Sequence, residues 1–243
     1  MPTAPIVLLH GVGLDRTLWD AFASTLDAET IAVDLPGHGA EPPLRTAQTL
    51  AALADDVLRR LPDVAVHLVG FSLGALIAQQ IAVQHPDRVL TLTCVSGVCR
   101  RTDAERAAVQ SRLDSARADF AASVQASLER WYPAGSDVSP ETIAQTRRTL
   151  LANDVESYLH AYAVFAQGDA QIDLGRIGCP ALAITGELDP GSTPAMSRRF
   201  ADAVPGARVV IVPGARHMLP VERPGALRTA LTKLISESEG VMR

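Results

Sequence analysis

The chain has 243 residues, 47% hydrophobic and 20% charged, an ordinary globular balance that suits one large core, with room for an inserted subdomain. A formal net charge of −5 with no basic stripe argues against nucleic acid as a partner, and no apolar run approaches the roughly 20 residues that span a bilayer. The opening "MPTAPIVLLHGVG" has no basic n-region and too short an apolar run for a secretory leader, and Cys94, Cys99 and Cys179 are odd in number and widely spaced, as expected of reduced thiols in a cytoplasmic protein rather than of disulfides or a metal site.

Read in chain order, strands and helices alternate. "IVLLHG" (6–11) and "TIAVDLPG" (30–37) predict the first two strands, and "TLAALADDVLRRL" (49–61) repeats its leucines and alanines at helical spacing. "VHLVGFS" (66–72) predicts a third strand. "LGALIAQQIAVQHP" (73–86) is apolar almost all round and stops before Pro86, so a central buried helix is expected there. "LTLTCVSG" (90–97) is the fourth strand. The next 75 residues, 98–172, carry no strand pattern. "TDAERAAVQSRLDSARADFAASVQASLERWY" (102–132), "SPETIAQTRRTLLA" (139–152) and "DVESYLHAYAVFAQG" (154–168) all read as helices, with Ser139 and Asp154 placed as N-caps. Strands return at "PALAITGELD" (180–189) and "ARVVIVPG" (207–214), each followed by an amphipathic helix, "TPAMSRRFADAVPG" (193–206) and "ERPGALRTALTKLISES" (222–238).

The strand runs are nearly continuous and rich in β-branched residues, the pattern of strands buried on both faces. An α/β fold with a mainly parallel sheet of about six strands is therefore expected. The helical stretch is too long for one crossover. It predicts a cap at 98–172 inserted into a core of 1–97 and 173–243, lying over the carboxyl edge of the sheet where ligands bind.

The candidate chemistry sits at strand ends. Gly70-Phe71-Ser72-Leu73-Gly74 matches G-x-S-x-G directly after a strand and before a helix, the context that exposes a nucleophilic serine at a strained turn. Such a hydroxyl needs a base, and the base needs an orienting acid. His67 falls within a strand, His85 at a helix end, His160 mid-helix, His38 in the "DLPGHG" turn and His10 before the first glycine turn; only His217, in a loop after the last strand, has the position of the base. The acid is expected between the two in the chain. Asp189 in "TGELDP" is preferred to its neighbour Glu187 because a Pro-Gly turn follows it at the strand end. Ser96 and Gly97, at the end of the fourth strand, offer no carboxylate, and Asp173 reads as an exposed or capping residue. Two backbone amides should form an oxyanion hole, that of Leu73 after the serine and that of Val12 in the "HGVG" loop.

Taken together, "HGVGLDRTLWD", "DLPGHG", "GFSLGALIAQQIAVQHPDRV", "GELDP" and "PGARHMLPVERP" resemble the α/β-hydrolase superfamily over nearly the whole chain outside the cap. The resemblance implies a Ser72–His217–Asp189 triad, an acyl-enzyme intermediate and neither metal nor organic cofactor. Within the superfamily, "SLERWYP" (127–133) and "LLANDVESYLHAYAVF" (150–165) look like 3-oxoadipate enol-lactonases, which implies a small ester or lactone as substrate. The chain departs from that group in its "HGVG" loop, where an asparagine-serine variant is expected. The N-terminal antiparallel hairpin common in the superfamily is also expected to be missing. An anionic substrate would need a pocket cation, for which Arg130, Arg100 and Arg101 are candidates, with Trp131 as pocket wall or cap core and Trp19 as a structural residue. Two other functions fit the same residues: hydrolysis of a C–C bond in a ring-cleavage product, and a slow-turnover ligand receptor on the hydrolase fold.

Overall fold

The computed structural model describes residues 4–241. Its strands are β1 (Ile6–Leu9), β2 (Thr30–Val33), β3 (Val66–Phe71), β4 (Val89–Val95), β5 (Ala181–Gly186) and β6 (Arg208–Val212). They form one sheet in the order β2-β1-β3-β4-β5-β6, and every neighbouring pair is parallel. Each strand stops short of the carboxyl end of its apolar run. The glycine, aspartate or serine closing the run belongs to the turn that follows, which is where the candidate chemistry lies.

The helices are α1 (Asp20–Ala23), α2 (Leu50–Arg60), α3 (Leu73–Gln84), α4 (Asp103–Ala118), α5 (Phe120–Trp131), α6 (Pro140–Leu151), α7 (Val155–Gln167), α8 (Pro194–Ala203), α9 (Leu219–Glu222) and α10 (Pro224–Val241). Strand side chains alternate between two cores, as a pleated sheet covered on both faces requires. Val7, Leu9, Leu68, Ala181 and Ala183 pack with α2, α3 and α8. Ile6, Leu8, Val69, Phe71, Leu182 and Ile184 pack with Trp19, Phe22 and the leucines of α10. α3 is buried along nearly its whole length, which explains why its sequence is apolar all round.

The stretch 102–132 divides at Asp119, which takes an extended conformation and caps α5 by accepting from the Ala122 amide at 2.9 Å. Ser139 and Asp154 cap α6 and α7 as the sequence predicts. A full capping box lies elsewhere, at Thr102 and Glu105. The four helices α4 to α7 have no separate core. Val109, Leu113, Tyr158 and Phe165 join one core of the sheet, while Val124, Leu128 and Leu150 join the other.

The entry and exit of this segment are tied together by a buried ion pair. Arg101 Nη1 donates to Asp169 Oδ1 at 2.6 Å and to the Phe165 carbonyl at 3.0 Å, and the Arg101 amide donates to Asp169 Oδ2 at 2.8 Å. The guanidinium also lies 4.6 Å from the centre of the Phe165 ring. Arg101 is therefore occupied within the fold and does not serve as the pocket cation; Arg100 is exposed and does not line the pocket described below. Removing Asp169 leaves the Arg101 charge buried and unpaired. Asp169→Ala is expected to cost about 3–5 kcal/mol of stability, measured by urea unfolding; a loss within the range of ordinary surface substitutions would contradict this.

Candidate active site

Ser72 stands between the last residue of β3 and the first of α3, with φ 53° and ψ −112°. Few non-glycine residues adopt positive φ, and such strain persists only where the surroundings hold it. Here the Ser72 amide donates to the Val95 carbonyl and the Gly74 amide to the His10 carbonyl, both at 3.0 Å. A side chain at either flanking glycine would prevent this closure. A Cβ on Gly74 would lie 2.4 Å from the Leu9 carbonyl oxygen, and one on Gly70 would lie 2.2 Å from the Gly74 oxygen. Ser72 makes no side-chain cap bond to its own helix, so its hydroxyl is left for other chemistry at a helix N-terminus, where negative charge is favoured.

His217 lies in the loop after β6, and its Nδ1–H donates to Asp189 Oδ2 at 2.7 Å. Asp189 follows β5. Its Oδ1 accepts from the Gly191 and Ser192 amides at 2.8 and 2.9 Å, so the Pro-Gly turn fixes the carboxylate from behind. The pair is buried, the Asp189 side chain completely. Glu187, the competing acid, is exposed and accepts from the Gly214 amide at 3.0 Å. Asp173 is also exposed. The imidazole of His217 is flanked by Phe71, with ring centres 5.1 Å apart, and by Trp131, stacked at 5.6 Å with 22° between planes.

Ser72, His217, Asp189, Val12, Arg130 and Trp131 line one pocket at the carboxyl edge of the sheet. It encloses about 500 Å³ including its mouth, and Arg112, Tyr158, Tyr162 and Phe165 complete its outer wall. The Val12 and Leu73 amides donate to no other group among the described residues. Both are therefore free for an oxygen at Ser72, where unpaired amides stabilise an alkoxide. Burial drives the Cys94 thiol upward and pushes Cys99 up to about 12, so these cysteines stay protonated and inert. Among the described residues no cluster of His, Cys, Asp or Glu could hold a metal ion, and no helix is long and apolar enough to cross a membrane.

The profile of the alpha/beta hydrolase family matches residues 6–230. The chain belongs to this family. A curated relative, the (E)-2-((N-methylformamido)methylene)succinate hydrolase of Acinetobacter baylyi, is 32% identical over 93% of this chain and 88% of its own. The pimeloyl-[acyl-carrier protein] methyl ester esterase of Chromobacterium violaceum is 30% identical over 87% of this chain and 86% of its own. Among solved structures, the enol-lactonase of Burkholderia xenovorans superposes with a TM-score of 0.88 at 27% identity, covering 97% of this chain and 92% of that one. The chain is thus an alpha/beta hydrolase of the ester-hydrolysing kind.

In this hydrolase several positioning residues carry no motif that would single them out. His10 is fully buried; its Nε2 accepts from the Leu35 amide at 2.8 Å, and its Nδ1–H donates to the Gly11 carbonyl at 2.7 Å. It thereby clamps the Val12 loop to the chain leaving β2. Asn153, between α6 and α7, donates to the Gly13 carbonyl at 2.8 Å and holds the same loop from above. Ser96 has positive φ and donates from Oγ to the His217 carbonyl at 2.9 Å. A periodic apolar pattern conceals His10, and only a long-range contact reveals Asn153 and Ser96.

Burial pulls the proton affinity of His10 far below its ordinary value, helped by the neighbouring His38, and lowers those of His38 and His67 as well. The unfolded chain takes up these protons near the ordinary value of about 6.5, and the folded chain only at lower pH. Folded stability therefore rises with pH through this window and is lost on acidification below about 6.5. Thermal melts from about pH 7.5 to 5 should show Tm falling, with a shallower slope in His67→Gln.

Proposed function

We propose that this hydrolase cleaves a small ester or lactone with Ser72 as nucleophile, His217 as general base and Asp189 as the acid that orients it. Ser72 Oγ attacks the carbonyl carbon while His217 Nε2 takes the hydroxyl proton. The Val12 and Leu73 amides stabilise the resulting alkoxide. Collapse expels the alcohol oxygen, which takes the proton from His217, and leaves an acyl-enzyme on Ser72. Water, deprotonated by the same histidine, then releases the acid and restores Ser72. One observation carries this reading: the strained serine opens into the same pocket as a buried His217–Asp189 pair whose carboxylate is already held by two amides.

Residues 98–172 act in this reading as a cap over a core of 1–97 and 173–243. In support, α4, α5 and α7 supply the outer wall of the pocket, and Trp131 stacks on the base. The relatives are named for a methylenesuccinate derivative, a methyl ester and an enol-lactone. An enol-lactone such as that of 3-oxoadipate fits the same chemistry here.

Ser72→Ala is expected to abolish turnover of p-nitrophenyl acetate and labelling by a fluorophosphonate while leaving Tm near that of the wild type. Asp189→Asn should lower kcat by about 10⁴, because the imidazole loses its orienter. Glu187→Gln should keep its activity. Undiminished hydrolysis by Ser72→Ala, or a larger loss in Glu187→Gln than in Asp189→Asn, would overturn the assignment.

A further inference from the structure

The outer wall of the pocket holds two arginines for which the fold supplies no counter-charge. Arg112 on α4 and Arg130 on α5 are both half-buried and both line the cavity that Ser72 opens into. Neither forms an ion pair among the described residues, although other arginines of the helical segment do, such as Arg101 with Asp169 and Arg106 with Asp103. Arg112 makes no side-chain hydrogen bond there either. Arg130 donates only to Ser127 Oγ at 3.0 Å and to the Ala126 carbonyl at 3.3 Å, within its own helix. Among the described residues the one carboxylate lining the pocket, Asp189, is committed to His217 and two amides.

Two positive charges in one small pocket of a protein whose net charge is −5 are an electrostatic liability unless an anion occupies the space between them. Burial and the like charge of Arg112 already lower the proton affinity of Arg130, yet a guanidinium stays charged. The hydroxyls of Tyr158 and Tyr162 have no hydrogen-bond partner among the described residues and belong to side chains lining the same wall. They add neutral donors beside the two cations.

We propose that Arg112 and Arg130 form an anion subsite that takes the free carboxylate of an acidic substrate whose ester or lactone carbonyl sits at Ser72. The inference rests on the reading of Ser72 as the nucleophile and narrows its substrate class. The substrate is a half-ester of a short dicarboxylic acid, or a lactone that carries a free carboxylate, bound by its acid end under α4 and α5 and cleaved at the other. A guanidinium fork matches a carboxylate in geometry as well as charge, and the pocket is small enough to favour so compact a group.

The test compares monomethyl glutarate, an anion at neutral pH, with dimethyl glutarate, which is neutral and nearly isosteric. The wild type should favour the half-ester in kcat/KM by about tenfold or more, chiefly through KM. Arg112→Gln and Arg130→Gln should each lower that ratio by about tenfold, with Arg→Lys recovering part of it. Arg106→Gln, on the same helix but paired outside the pocket, should not change it. Calorimetry with glutarate is the second arm: the wild type should bind it more tightly than inorganic phosphate, and both Gln variants should weaken it by about tenfold. A wild type that prefers the diester, a ratio insensitive to both arginines, or tighter binding of phosphate would overturn the subsite. Failure of the wild type to hydrolyse either ester or p-nitrophenyl acetate would instead sink the nucleophile reading, and glutarate binding would still decide the subsite.

Discussion

The close approach of α3 to the carboxyl ends of β1 and β3 is the constraint on which the rest of the molecule depends. It closes because Gly70 and Gly74 leave room for backbone against backbone, and because the Gly74 amide finds the His10 carbonyl across the gap. That contact holds Ser72 at positive φ, aims the α3 amides at the sheet edge, and ties the Val12 loop to the same point. A side chain at either glycine would push carbonyl oxygens apart by more than a core can absorb. The strain at one residue is thus held by packing spread across three elements, as expected where backbone strain belongs to a functional site.

The other groups of the pocket arrive by separate routes and are each fixed from behind. Asp189 is held by the turn it starts, and the His217 loop is held through its carbonyl by Ser96. These bonds are 2.8–2.9 Å long and buried or part-buried, so the side chains lose little further freedom when a ligand enters. Such preorganisation gives fixed dipoles their effect on a developing charge.

The helical segment between β4 and β5 shares the two cores of the sheet. Its apolar residues extend both faces of the sheet, its feet are joined by Arg101 and Asp169, and Asn153 bonds to the Val12 loop. Changes in these helices therefore reach the pocket directly. Trp131 touches the His217 ring, and Arg112 and Arg130 set the charge of the outer wall. α4, α5 and α7 line the outer wall of the pocket, and the loops after β1, β3, β5 and β6 carry the geometry of the proposed chemistry.

Much of this was legible from the residues alone, because parallel strands buried on both faces leave continuous β-branched runs and the turns that end them need glycine, serine or aspartate. The sheet, the helices between its strands and the positions of Ser72, Asp189 and His217 at strand ends all followed from that local logic. What the sequence could not reveal depends on contacts between residues far apart in the chain. Arg101 and Arg130 look alike in sequence, yet a buried carboxylate 68 residues away makes one structural while the other faces the pocket. Arg112 looks like any arginine on an amphipathic helix until α4 and α5 are placed over the sheet. The division at Asp119 and the grip of His10 and Asn153 on the Val12 loop were decided in the same way. Local pattern determined which elements form and where their turns fall. Tertiary structure alone decided which charges find partners on other elements, because that pairing depends on distance in space, which sequence separation does not encode beyond a helical turn.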